Sequence, residues 1–390
     1  MTTAKPIRQV LPSVLFIVLV SFMFFMARSM NSPLLIQIEE AFGVSHTAAT
    51  RSFVFYSTGN ALVTMLSGFV LAKLVHRKAI ILAGAVGTIG LLVMASASSL
   101  GMFRAGLVIF GSGFGLYMAT AINTITLLVQ KPDWPKAMAI SELSPHLGMI
   151  AAPLLAAAVA PHLAWRPMFL LLALGLAGGV TLFALRVTEG NDYGVAPTLP
   201  VLKVLFRKPA FWLLIVLFAL GLAATDGIYL LIPTFLITEA EMSAAFANTL
   251  FGFSRFLPIG ALLIGAVVVG KIGIRRTIVV ALAGSGTAVL LLALTGGVVR
   301  AVMIFLQPAL GALFFPAGFA ALASLSPPES RNVTISMSLP ISAFIGVGVI
   351  PAFLGYMGDT ASFTAGFVIV GIAMLAVGLI PVFLPLGLEE

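Results

Sequence analysis

The 390-residue chain is 60% hydrophobic and only 9% charged, with a mean hydropathy of +1.15, whereas an ordinary soluble domain carries about 25% charged residues. So few charges cannot cover a water-facing surface, and the composition excludes a soluble globular protein in favour of one built into a bilayer. The net charge of +8 comes with no extended basic face for nucleic acid, and the lack of cysteine excludes disulfides.

Apolar runs recur between short polar breaks, and at about 20 residues per spanning helix the length holds about twelve spans. They are expected over 10–38, 47–73, 79–99, 103–129, 135–160, 166–187, 208–238, 244–270, 277–295, 300–325, 333–357 and 362–386. Runs this continuously apolar lack the alternation of a membrane β-barrel. The opening "MTTAKPIRQ" leads into a run that passes signal-peptide length without a small-residue cleavage site, so it reads as a retained first span.

Alternate loops carry "KLVHRK" (73–78), "QKPDWPK" (130–136), "RKP" (207–209), "KIGIRR" (271–276) and "PPESR" (327–331). The opposite loops carry "EEAFGVSH" (39–46), "PHLAWR" (161–166), "TEAEM" (238–242) and "GDTAS" (358–362). Basic loops stay on the cytoplasmic side. Both termini are therefore expected to be cytoplasmic in a multi-pass protein of the cell's inner (plasma) membrane.

The longest polar stretch, 186–209, divides the spans into two sets of six. The expected organisation is a six-helix bundle over 1–187, a cytoplasmic linker over 188–207 and a second bundle over 208–390. The halves repeat at a fixed offset. Lys73, Arg77 and Lys78 fall 198 residues before Lys271, Arg275 and Arg276, and Gly148 and Pro153 fall 198 before Gly346 and Pro351. Such a repeat implies duplicated bundles around a central cavity. The expected fold is an all-α membrane protein with twelve transmembrane helices in two pseudo-symmetric six-helix bundles.

In these features the chain resembles the major facilitator superfamily of secondary transporters over essentially its whole length. The family's loop motif G-x-x-x-D-[RK]-x-G-[RK]-[RK] is matched by "GFVLAKLVHRK" at Gly68, Lys73, Arg77 and Lys78, with Ala72 at the Asp. The second copy, "GKIGIRR", keeps Lys271, Gly273, Arg275 and Arg276. The family's fifth-helix motif G-x-x-x-G-P-x-x-G-G is matched by "GMIAAPLLAA" (148–157), with alanines at the later glycines. The resemblance implies alternating access, with Lys73, Arg77, Lys271 and Arg275 in a gating role. It does not imply a substrate.

Arg28 follows seventeen uncharged positions, Val10 to Met26, and a charge inside hydrocarbon costs at least about 2.5 kcal/mol. Its counterpart 198 residues on is Asp226, so the first and seventh spans present opposite charges at equivalent depths. The family architecture puts both helices against the cavity, and organophosphate-type relatives carry an arginine on each; the carboxylate here argues against a doubly anionic phosphate. Either the two charges neutralise one another structurally, or Arg28 binds an anionic group that Asp226 releases by taking a proton. Arg255 lies about 16 Å into the eighth span at ~1.5 Å per residue, a depth at which a guanidinium needs an anion. His146 lies at a similar depth in the fifth span, with Glu142 one turn earlier on the same face. His146 is read as a substrate or proton ligand or as a packing histidine. Glu142 is read as a gate charge standing in for the motif's missing Asp, or as a proton carrier. Tyr56, Asn60, Tyr117 and Gln307 are further polar residues at usable depths, each of which could equally bond a neighbouring helix.

There is no GxxxxGK[ST], and His46, His76, His146 and His162 lack metal-ligand spacing. ATP-driven transport within this chain is thereby excluded, and no cofactor or metal is expected. The leading expectation is a carrier, expected to be monomeric, of a small organic anion such as a monocarboxylate or amphoteric acid, coupled to protons or a counter-anion. The alternative is a proton-coupled exporter of drugs or lipid-like amphiphiles, for which the thirty phenylalanines and sixteen methionines speak. A membrane-embedded enzyme or scaffold is the reading from another class.

Overall fold

A computed structural model describes residues 5–159, 163–187, 206–207, 209–324 and 331–383. Among these the chain is helical apart from an isolated backbone pairing of Lys5 with Val129. Eleven helices are long and apolar enough to cross a membrane, and Leu143–Val159 is a shorter apolar helix in the place of the fifth span. Helical spans are what a bilayer demands, because each backbone N–H and C=O must find its partner within the segment.

The chain forms two compact units, one of residues 1–38 and 55–197 and the other of 39–54 and 198–390. The expected linker, 188–207, lies outside the described residues but for 206–207. Segment 39–54, placed by the sequence with the first bundle, packs with the second unit.

The helices of the first unit are α1 (Ile7–Ser29), α4 (Ser52–Leu71, whose first three residues pack with the second unit), α5 (His76–Ala95), α6 (Leu100–Leu128), α7 (Trp134–Val159) and α8 (Trp165–Arg186). Two short helices, α2 (Leu35–Phe42) and α3 (His46–Thr50), lie between α1 and α4. The expected first span, 10–38, ends early, at Ser29. There Asn31 Nδ2 donates to the Ala27 and Arg28 carbonyls at 3.4 and 3.1 Å, replacing next-turn amides, and Pro33 follows in a turn. The core is aromatic: Phe24 lies 5.8, 5.6 and 5.1 Å from the rings of Phe110, Phe114 and Tyr117. At the other end of α1, the Ile7 amide donates to Asp133 Oδ2 at 3.0 Å. That bond, then the Lys136 ammonium, holds the Asp133 carboxyl below the usual range.

The second unit holds α9 (Pro209–Leu222), α10 (Ile232–Thr238), α11 (Ala244–Ser254), α12 (Phe256–Ile272), α13 (Ile274–Leu294), α14 (Gly297–Ser324), α15 (Arg331–Ala343), α16 (Ile350–Thr360) and α17 (Phe363–Phe383). Its first span is not one helix. Between α9 and α10 the backbone opens into a wide π turn over Ala223–Gly227 and then tightens over Ile228–Leu230. A second π segment, Phe344–Val349, joins α15 to α16. The eighth span also breaks, at Arg255. Pro258 has no amide to give the Ser254 carbonyl, so α11 stops at Ser254 and α12 restarts at Phe256.

Lipid tails are as apolar as leucine, so spans associate by close packing rather than by hydrophobic drive. The repeated glycines provide it at matching places. A Cβ on Gly148 of α7 would lie 2.8 Å from the Met26 nitrogen of α1, and one on Gly346 would lie 2.4 Å from the Ala219 oxygen of α9. The fifth-helix motif here serves helix crossing in both halves.

Candidate functional site

Each unit builds a polar centre of its own. In the first unit, Arg28 occupies the last turn of α1 and is half-buried. Its guanidinium carbon stands 5.8 Å from the ring centre of Phe25 and 5.9 Å from that of Tyr56 on α4. Phe114 closes the set, 5.0 Å from Phe25 and 6.1 Å from Tyr56. Aromatic faces attract a guanidinium through their quadrupole.

Asn60, one turn after Tyr56 on α4, is half-buried, and so is His146 on α7. His146 precedes by two residues the Gly148 contact with α1, which puts it near the Arg28 helix. Glu142 is on the same helix, but its side chain lies outside the described residues. Tyr117 is buried, and its hydroxyl donates to the Ile17 carbonyl of α1 at 2.7 Å, fastening α6 to α1.

In the second unit the polar centre rests on the broken seventh span. A wide turn disturbs the regular ladder of carbonyls and amides, so side chains can supply donors there. Gln307 of α14 donates through Nε2 to the Ala224 carbonyl at 3.1 Å and to Ser285 of α13 at 2.8 Å. Arg255 donates through Nη1 to the Thr225 carbonyl. Its guanidinium carbon lies 3.7 Å from the Tyr229 ring centre and 5.3 Å from that of Phe251, and the residue is 8% exposed. Tyr229 is itself fixed, its hydroxyl bonded to the Ile304 carbonyl and 3.3 Å from Ser254 Oγ. Asp226, buried in the wide turn, accepts from the Thr225 hydroxyl at 3.2 Å.

The structure thus brings Arg255, Asp226 and Gln307 to one turn of backbone and Tyr56 beside Arg28, with Asn60 on α4 and His146 on α7. Sequence reasoning missed Thr225 and Tyr229. Tyr229 had a legible signal: it is three residues after Asp226 in the same span, hence one turn away.

The motif arginines do the same thing twice. Arg77 donates to the Ala184 and Val187 carbonyls at the end of α8, and Arg275 to the Pro381 and Val382 carbonyls at the end of α17. A cation suits the carbonyl end of a helix. Lys73 and Lys271 are exposed.

A membrane protein of two pseudo-repeated six-span units, each with a charged residue at the same place in its first span, has the build of a secondary carrier. The chain belongs to the Major Facilitator Superfamily, which it matches over residues 17–306. It is similar to the solved structure of a bacterial homologue of the human lysosomal transporter Spinster, inward-facing and unoccupied, with a TM-score of 0.80 at 16% identity over 97% of this chain and 96% of that one. It is also similar to a POT family transporter in complex with 5-aminolevulinic acid (0.77; 16% identity; 95% of each chain) and to a D-xylose–proton symporter (0.78; 15% identity; 94% and 96%). No curated protein sequence matches. The chain is a multi-pass secondary transporter of this superfamily.

Proposed function

We propose that this transporter carries a small organic anion, a monocarboxylate or amphoteric acid, coupled to protons or a counter-anion. The observation that carries the reading is Arg28, a half-buried guanidinium set among the rings of Phe25 and Tyr56. A carboxylate meets such a group with two parallel charge-assisted hydrogen bonds, and the flanking rings accept its apolar body. Arg255 contributes a second, deeper guanidinium, and Asn60 and His146 are proposed to bond the polar remainder of the substrate. Tyr117 and Gln307 act at one remove, holding the helices that carry the site. A solved structure of the same fold holds 5-aminolevulinic acid, an amphoteric acid of this kind.

Asp226 is proposed as the proton carrier, with His146 and Glu142 as further proton groups. It is buried in the turn whose Thr225 carbonyl anchors Arg255, so its charge and the setting of that arginine are linked. Lys73, Arg77, Lys271 and Arg275 are proposed to tune gating through the helix ends they hold, with both termini cytoplasmic in the plasma membrane.

The test is uptake into proteoliposomes under an imposed pH gradient, using a panel of radiolabelled monocarboxylates, amino acids and amphiphilic cations. Arg28→Ala should lose affinity for the accepted anion by about tenfold or more, with Lys rescuing only partly. Asp226→Asn should retain binding and lose the dependence on the pH gradient. Transport of amphiphilic cations with no carboxylate accepted would overturn the anion reading in favour of the exporter. A normal rate in Arg28→Ala would move the anion site elsewhere.

A further inference from the structure

The segment between the first two spans is held on the second unit by a charged cluster that the transport reading does not use. Asp359, near the end of α16, accepts from the His46 and Thr47 amides at 3.0 and 2.6 Å, capping the start of α3. Glu239, at the end of α10, accepts from the Phe363 and Thr364 amides and from the Thr364 hydroxyl, capping α17. The His46 ring packs edge-to-face on Phe363, 5.0 Å between centres. Thr50, fully buried, fills the space where Gly355 has no side chain; a Cβ there would lie 1.9 Å from its Oγ1.

Within this cluster His46 Nδ1 lies 2.8 Å from Glu39 Oε2, and the two side chains are 25% and 8% exposed. A ring nitrogen and a carboxylate oxygen at that distance repel unless a proton lies between them. The other Glu39 oxygen, Oε1, is buried and has no hydrogen-bond partner among the described residues. The carboxyl therefore depends on His46 for its compensation.

We propose that His46 and Glu39 form a proton-binding site that decides whether segment Glu39–Val54 stays docked on α16 and α17. The charged groups facing His46 are Glu39 from α2, Asp359 from α16 and Glu239 from the end of α10; Glu40 and Arg51 nearby are exposed. An imidazolium makes a charge-assisted bond to Glu39 and sits as a cation among three carboxylates. When it gives its proton to water, the same carboxylates surround a neutral ring, and a buried carboxylate is left with a weaker donor, which is costly. Undocking returns Glu39 to solvent. The histidine side chain is suited to making this change within about pH 5 to 8. On the orientation proposed above the segment is on the external face, so the site would respond to external pH.

The absence of native cysteine makes the test direct. Thr50→Cys reports docking, because position 50 is covered only while the segment is seated, and Ser98→Cys, at an exposed position, corrects for the pH dependence of thiol chemistry. The ratio of their maleimide labelling rates in full-length protein in nanodiscs should rise about tenfold or more from about pH 5.5 to about pH 8.5. In a His46→Gln background the ratio should be high and flat. In His46→Arg, whose charge is permanent, it should be low and flat, which keeps the test informative should the Gln variant fail to fold. A flat ratio with His46 in place, or a pH response that survives in His46→Arg, would overturn the proposal.

Discussion

The first and seventh spans are sequence equivalents, 198 residues apart, yet they are built differently. α1 runs unbroken from Ile7 to Ser29 and carries Arg28 in its last turn. Its counterpart opens into a wide turn at Ala223–Gly227 and holds Asp226 inside it. The fifth and eleventh spans differ in the same way: α7 is continuous through Gly148, whereas Gly346 lies within the π segment Phe344–Val349. The two irregular segments of the second unit meet, since a Cβ on Gly227 would lie 1.9 Å from the Gly346 oxygen. A regular helix spends its carbonyls on its own amides, so a charged side chain on it must find company among neighbouring side chains, as Arg28 does with aromatic rings. An opened helix offers carbonyls to outside donors, and Gln307 and Arg255 take them. One guanidinium thereby lies among aromatic rings and the other is bonded to an opened backbone.

The most severe way to break this contrast is at the glycine contacts. Gly227→Ala drives a methyl into the Gly346 carbonyl, which is backbone and cannot rotate away. It should cost more than about 3 kcal/mol, beyond ordinary overpacking, and little monodisperse protein should survive extraction. Gly346→Ala, at 2.4 Å from the Ala219 oxygen, should be intermediate, and Gly148→Ala, at 2.8 Å from its nearest neighbour, the mildest. Size-exclusion profiles and melting temperatures in detergent give the order. An equal loss at Gly148 and Gly227 would show that the wide turns add no special constraint.

The two arginines sharpen the contrast at a smaller scale. Arg255→Ala removes the donor to the Thr225 carbonyl, at about 1–3 kcal/mol for a buried acceptor, and the cation above Tyr229, at about 2 kcal/mol when desolvated. Melting temperature and transport should fall together. Arg28→Ala removes ring contacts at longer range, about 0.5–1 kcal/mol, so on the proposed anion role the melting temperature should fall less than in Arg255→Ala while substrate affinity falls. If Arg28→Ala melts as early as Arg255→Ala, both arginines are framework.

Much of this architecture is legible in the sequence, and for a physical reason. Apolar length, loop charge and a fixed repeat are properties the bilayer imposes directly, so twelve spans in two sets of six could be read from "KLVHRK" against "KIGIRR" and Gly148 against Gly346. Helix interruptions are less legible. The break at Arg255 follows from Pro258, but no proline or glycine pair in "LAATDGIYLL" announces a π turn ahead of Gly227; its cause is the crossing with Gly346, a contact between residues 119 apart in sequence. The allegiance of segment 39–54 to the second unit was hidden likewise, because Asp359 and Glu39 look like ordinary loop charges until His46 lies between them. Arg28 and Arg255 read alike as buried arginines, and only their partners tell them apart.

The smallest expected effect tests the part of the repeat in which the units agree. Arg77 and Arg275 both hold the carbonyl end of the sixth helix of their unit, so the same substitution should act in the same direction at both. A cation at a helix C-terminus contributes about 0.3–1 kcal/mol at an exposed position and up to about 2 kcal/mol when partly buried. Arg77 is half-buried and Arg275 exposed, so Arg77→Gln should lower the melting temperature more than Arg275→Gln, and added salt should widen the difference by screening the exposed charge first. Glutamine keeps a hydrogen-bond donor and removes the charge, so a loss in Arg77→Gln that Arg77→Lys restores assigns the effect to the helix-end carbonyls meeting a cation. If Lys restores nothing, the planar fork across Ala184 and Val187 is what matters. If both glutamine variants melt with the parent while transport slows, these arginines act during the cycle rather than in the resting fold, as a gating role requires.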